Sequence, residues 1–186
     1  IVTNDFGSPF LDNIIKDYPQ YYINAGICEQ HIVTLSCGLA SQGFRPIIYS
    51  ISSFIIYRAF EQIKIDICYN NSPVILVGTG SGFSYSHLGT THHSLEDINL
   101  IRSLPDINIF TPCDPLEVNF CLQEALKSKK PSYIRLGKKG EPIIHKNKSC
   151  TCEYGCDNLY DNDIVKVKGY NDEFKVSVYD NNTLNY

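Results

Sequence analysis

The sequence predicts an α/β domain: a parallel sheet with helices on both faces, followed by a truncated tail. Three observations predict it. Short apolar, β-branched runs alternate with stretches of helical period through Leu136. The run Pro73-Val74-Ile75-Leu76-Val77 is apolar throughout, as a strand buried on both faces must be. After about His145 the texture changes: Asn, Asp, Lys, Tyr and Cys dominate and the periodicity fades. Residues 1–145 therefore read as the domain, and 146–186 as a linker or the truncated start of a C-terminal domain.

Taken in order, Ile1-Val2-Thr3 ends a strand and the run from Asn4 to Pro9 turns. Ser8 before Pro9 is a good N-cap and first-turn pair for a short helix from Phe10 to Tyr18, stopped by Pro19. Tyr21 to Asn24 reads as a buried strand. Cys28 to Gln42 has one wide apolar face and is closed by Gly43, as a helix C-terminus often is. Arg45 to Ile51 is a strand led by Pro46, and Phe54 to Tyr69 a long helix ended by Asn-Asn-Ser-Pro. The buried strand from Pro73 follows, then a long loop from Gly78 to His93. Ser94, with Asp97 three residues on as a capping-box partner, opens a helix to about Leu104. Ile107 to Phe110 is a strand, Asp114-Pro115 starts a helix to Lys127, and Ser132 to Leu136 is a strand. In the tail only Val176-Ser177-Val178-Tyr179 suggests a strand. Strand–helix alternation at this spacing gives right-handed crossovers and parallel pairing, without fixing strand order.

The 186 residues suffice for one core that needs no staples. Net charge is −4 and no basic run stands out, which disfavours nucleic-acid and anionic-membrane partners. No apolar stretch reaches membrane-span length and no signal peptide is visible, so a cytoplasmic location is expected. There is no Met, so the chain is expected to be a fragment or a processed product. Of eight Cys, the five at 28, 37, 68, 113 and 121 read as buried free thiols of a reducing compartment. Cys150, Cys152 and Cys156 cluster without the fourth ligand and spacing of a zinc site, and no metal site is assigned.

The carboxyl ends of parallel strands share one rim, where ligands of open α/β sheets bind. Glu29 reaches that rim in the first turn of a helix, after the small-residue turn Asn24-Ala25-Gly26. The helix N-terminus favours a carboxylate by about 0.3–1 kcal/mol. Burial against a flat apolar ligand opposes ionisation more strongly, so a basic ring nitrogen could share a proton with this group. Phe54, Tyr57 and Arg58, at i, i+3 and i+4, share a helix face suited to an aromatic ligand. Asp5 and the loop with His87, His92 and His93 reach the same rim. The loop's glycines do not meet the dinucleotide fingerprint.

Several stretches resemble, in order and spacing, the pyrimidine-binding domain of transketolase-like thiamine diphosphate enzymes over about residues 1 to 143. They are Tyr22 to His31, Tyr49 to Gln62, Leu88 to Asp97, Ile101 to Pro105, Pro112 to Pro115 with Glu117, and Tyr133 to Gly137. The texture is most similar to stand-alone C-terminal transketolase subunits and to 1-deoxy-D-xylulose-5-phosphate synthases. The resemblance implies the thiamine-diphosphate-binding fold and a transferase moving a two-carbon ketol unit between sugars or sugar phosphates. It implies that Glu29 hydrogen-bonds the aminopyrimidine N1′ and favours the imino tautomer that takes the thiazolium proton. It implies cofactor contacts from Ile27, Phe54, Tyr57 and Arg58, and substrate contacts from Asp5, His92 and Lys138, with Glu29 and His92 as the catalytic residues.

Two positions depart from the family. An upstream histidine would fall at Gly80, and Lys138 stands where a phosphate-gripping arginine is usual, without its bidentate fork. The family holds diphosphate and Mg²⁺ in a separate domain carrying Gly-Asp-Gly, which does not occur here. The resemblance therefore implies thiamine diphosphate and Mg²⁺ shared with a diphosphate-binding domain or subunit, in a dimer or a larger homo- or hetero-oligomer. The rival readings are the synthase, a 2-oxo-acid dehydrogenase β subunit, a non-catalytic module retaining the fold, and a nucleotide-binding regulator.

Overall fold

The computed structural model describes residues 1–138, 140–144, 164–165 and 174–175. Its strands are β1 (Val2–Thr3), β2 (Ile23–Asn24), β3 (Ile47–Ile51), β4 (Ile75–Thr79), β5 (Asn108–Phe110) and β6 (Ser132–Arg135). Its helices are α1 (Asp12–Asp17), α2 (Glu29–Ser41), α3 (Ser52–Arg58), α4 (Phe60–Gln62), α5 (Asp97–Arg102) and α6 (Pro115–Lys127). The six strands form one sheet in the order β2-β1-β3-β4-β6-β5, parallel at every pairing. Beyond it, β7 (Ile164–Val165) and β8 (Phe174–Lys175) make an antiparallel pair.

β4 is buried at all its positions because it lies inside the sheet with helices over both faces. Its side chains alternate between two cores. Leu76 faces Ile32 and Val33 of α2, Ile55 and Ile56 of α3, and Ile101 of α5. Ile75 and Val77 face Phe110, Ile134 and Ala125 of α6. Each large aliphatic side chain so buried contributes about 1.5–3 kcal/mol. On the second face Tyr49 stacks on Phe6 and meets Phe10 edge-on, which anchors the segment after β1.

The amino end of the sheet is fastened by Arg45. Its guanidinium donates to the carbonyls of Pro73, Ala125 and Lys130, joining the approaches to β3, β4 and β6. The amide of Ile75 donates to Pro46, so the proline precedes the ladder without removing one of its bonds.

Several elements differ from expectation. Tyr21 to Asn24 is no buried strand: β2 holds only Ile23–Asn24, has a single neighbour, and leaves Tyr21 61% exposed. The helix after Ser8 starts as a 3₁₀ turn, Pro9–Leu11, and the Ser8 side chain makes no capping bond. The long helix starts earlier, at Ser52. It breaks at Ala59 (φ −107°) and ends as a π-helix over Ile63–Tyr69. Ser94 does not cap a helix: it pairs with Gly82, and α5 begins at Asp97. Of the five expected buried thiols only Cys68 is buried; Cys28 and Cys113 are exposed. The predicted strand Val176 to Tyr179 and the Cys150, Cys152 and Cys156 cluster lie outside the described residues.

Candidate active site

The chain leaves β1 toward β2 on one side and leaves β3 toward β4 on the other. The carboxyl ends of β1 and β3 therefore flank a switch point, where the diverging connections open a crevice. Asn4 follows β1, and α3 follows β3 directly. Glu29 enters from the far side of β1. Its approach is set by a local knot: Asn24 donates to Asp5, Asp5 donates to the Gly26 carbonyl, and Gly26 donates back to Asn24. Gly26 has φ +80°, a turn conformation glycine adopts without steric cost.

Glu29 is the first residue of α2 and only 4% exposed. Its Oε1 accepts from Asn4 Nδ2 at 3.2 Å and from Arg58 Nη1 at 3.0 Å. No bond from a described residue reaches Oε2. The Arg58 guanidinium lies 4.2 Å from the centre of the Phe54 ring, a cation–π contact on the i, i+4 face of α3. Phe54 meets the His92 ring edge-on at 4.9 Å, and His92 faces Tyr85 at 6.2 Å. Lys138 closes the row, its ammonium 5.3 Å from the Tyr85 ring centre. Glu29, Arg58, Phe54, His92, Tyr85 and Lys138 thus follow one another by contact in one row.

The loop carrying His92 is stitched to α3 at successive points. Ser53 donates to the Thr91 carbonyl at 3.1 Å and the hydroxyls of Ser52 and Ser94 lie 2.9 Å apart. Tyr57 donates to Glu96 at 2.6 Å and accepts from the Glu96 amide. Burial, and then Glu96, raise the Tyr57 hydroxyl above its ordinary pKa, while that hydroxyl draws Glu96 below the usual carboxylate range. Beneath the loop Asp97, fully buried, accepts from Arg135 at 2.8 Å and Tyr133 at 2.7 Å. Burial, and next the Asp97 charge, push the Tyr133 hydroxyl well above its ordinary pKa.

Of the residues singled out in the sequence, Glu29, Phe54, Arg58 and His92 are brought together, and Lys138 is joined to them through Tyr85. Tyr57 shares α3 with Phe54 and Arg58, but its hydroxyl is committed to Glu96. Asp5 is exposed and engaged with Asn24 rather than with Glu29. Ile27 is 76% exposed at the rim. Gly80 has φ +86°, and a Cβ there would stand 2.2 Å from the Tyr85 ring. Sequence reading missed Asn4, Tyr85, Glu96 and Asp97. Only Asn4 carried a signal, as the polar residue directly after a strand.

A family model described as the pyrimidine-binding domain of transketolase matches residues 2–141. The chain belongs to that family. A second model, for a family of unknown function, matches residues 129–176. This transketolase pyrimidine-binding domain is 39% identical over 145 residues to a subunit of the apulose-4-phosphate transketolase of Actinobacillus succinogenes, covering 78% of this chain and 47% of that protein. It is 36% identical over 125 residues to 1-deoxy-D-xylulose-5-phosphate synthase of Syntrophus aciditrophicus, covering 67% and 19%. Among solved structures it is similar to a split-gene transketolase in an inactive beta4 tetramer, with TM-score 0.68 and 30% identity, covering 78% of this chain and 47% of that one. It shares the fold of Pichia stipitis transketolase, with TM-score 0.66 and 19% identity, over 76% and 23% of the two chains. The transketolase domain spans about half the length of the apulose-4-phosphate transketolase relative, 47%. Among its described residues no helix is long and apolar enough to cross a membrane.

Proposed function

We propose that this chain supplies the aminopyrimidine side of a thiamine diphosphate site in a transketolase-type enzyme that moves a two-carbon ketol unit between sugars. The observation that carries this is the Glu29 carboxylate. It is buried, held through Oε1 by Asn4 and Arg58, and left with Oε2 unbonded by the described residues beside the Phe54 ring. A flat heterocycle with a ring nitrogen fits that combination of one acceptor oxygen and an aromatic wall. Thiamine diphosphate, when bound, supplies the nucleophilic carbon and the electron sink. Glu29 would hold a proton shared with the pyrimidine, and Phe54 with Arg58 would orient the ring. Tyr57 and Ile27 would border it, with Tyr57 acting through its ring. His92 would contact the substrate as second catalytic residue, Lys138 would attract its anionic end, and Asp5 would border the substrate at the rim.

Among the described residues no group of three or more His, Cys, Asp or Glu could hold a metal ion. In this reading the diphosphate and Mg²⁺ would rest on a separate diphosphate-binding domain or subunit. The apulose-4-phosphate transketolase relative is itself named as one subunit of its enzyme, and this chain covers about half of it. The subunit name supports such a partner; in this reading the two assemble as a cytoplasmic dimer or larger oligomer. In this reading residues 1–145 form the pyrimidine domain and 146–186 lead out of it.

Glu29→Gln tests the reading. With the diphosphate-binding partner supplied, turnover should fall about 10²-fold or more while assembly is unchanged, as measured by steady-state rates and size-exclusion chromatography. Unchanged turnover would favour a non-catalytic module. A second reading, the synthase joining pyruvate-derived carbons to glyceraldehyde phosphate, is favoured by the synthase relatives. Consumption of pyruvate rather than a ketose donor would establish it.

A further inference from the structure

We propose that Tyr85 is a specificity-determining residue of this crevice, its ring holding the Lys138 ammonium at the rim for the anionic end of a phosphorylated sugar. The inference rests on the transferase reading above and adds a residue to it. Tyr85 opens a short 3₁₀ turn, Ser86–Leu88, and its carbonyl accepts from Leu88, which fixes its backbone inside the loop. The ring then lies over Gly80 so closely that any Cβ at 80 would meet it at 2.2 and 2.4 Å. The crevice lining here is therefore a loop-borne aromatic ring, and residue 80 contributes only backbone.

That backbone also brings Lys138 into place. Gly80 and Ser81 donate to the carbonyls of Gly137 and Leu136, so the extension of β6 runs beside the start of the loop. Lys138 is thereby delivered to the Tyr85 face, 5.3 Å from its centre, while the ring's other neighbour is His92. Among the described residues no carboxylate pairs with Lys138. A lysine stem is flexible and its ammonium is a point charge without a directional fork. An aromatic face is what can confine it at no cost in charge, leaving its donors for a ligand. A monoester phosphate beside an imidazole suits this corner better than an uncharged sugar end.

The test uses the full 186-residue chain and inorganic phosphate, titrated while the amide signals of His92 and Lys138 are followed by NMR. Tyr85→Phe keeps the ring; Tyr85→Leu fills similar space without a π face and guards against collapse onto Gly80. Phosphate should shift both signals in the wild-type chain. Tyr85→Phe should bind within about twofold of wild type, and Tyr85→Leu about two- to fivefold more weakly, the range a cation–π contact at an accessible site supplies. In the assembled enzyme Tyr85→Leu should raise KM for a sugar phosphate by the same factor and leave KM for the corresponding uncharged sugar unchanged. Equal binding by wild type and Tyr85→Leu, equal loss in both variants, or no phosphate response would overturn the proposal. Its failure is separable from that of the transferase reading, which Glu29→Gln decides without phosphate.

Discussion

At the scale of single residues, the site's pH behaviour is written in the pair Tyr57–Glu96. The Tyr57 hydroxyl draws Glu96 below the ordinary carboxylate range, so the unfolded chain takes up this proton at a higher pH than the folded one. The pair's contribution to stability is present above that ordinary range and is lost as pH falls through the folded value. For Tyr57, raised by burial and then by Glu96, the sign reverses: its contribution is present below the unfolded tyrosine value and lost as pH rises through the folded one. Glu96→Gln should therefore lower stability at pH 7 and leave it level with wild type in acid, as urea unfolding at each pH would show. The same hydroxyl fastens the His92 loop, so the effect reaches from stability to the site.

At the scale of elements, capping chemistry decides how sharply each boundary is drawn. Asp114 Oδ1 accepts from Leu116 at 3.0 Å and Glu117 at 2.9 Å, with Pro115 in the first turn, and α6 starts where the sequence says it should. Its Oδ2 accepts from the Ile144 amide at 3.0 Å, holding the last residues before the tail. Asp114→Ala should cost about 1 kcal/mol in chemical denaturation and speed hydrogen exchange at Ile144. Where a cap motif has a second use, sequence reading fails. Ser94 and Asp97 have capping-box spacing, but both are drawn into the buried group with Ser52, Tyr133 and Arg135. A partner 38 residues away, as Arg135 is to Asp97, leaves no local trace. β4, α2 and α6 were legible because period and caps are local; the break at Ala59 was not, since the apolar run continues through it. Glu29, Phe54, Arg58 and His92 were legible as a set. Tyr85 was not, because its place over Gly80 depends on the path of a loop.

At the scale of the whole molecule, the sheet is fastened at one end and carries the candidate site at the other. Arg45 bonds three carbonyls from separate segments at the amino end, and its Nε is buried without a partner. Removing it leaves those carbonyls short of a donor. Arg45→Ala should lower the free energy of unfolding by about 1.5–3 kcal/mol, the worth of bonds from a charged donor, as equilibrium denaturation would measure. It should leave phosphate binding at Lys138 unchanged, because that corner lies at the opposite rim. Sheet order follows from pairings between distant strands, which periodicity cannot rank, and so the switch point between β1 and β3 became visible only in three dimensions.

The row of fastenings along α3 has an evolutionary corollary. Residues 91, 94 and 96 are sewn to the helix and residues 80 and 81 to the β6 extension, and between them the 3₁₀ turn Ser86–Leu88 and the Tyr85 ring are held from both sides. One residue gained or lost between 91 and 96 would shift every later stitch by a register step and carry the imidazole at 92 away from the phenyl ring it faces.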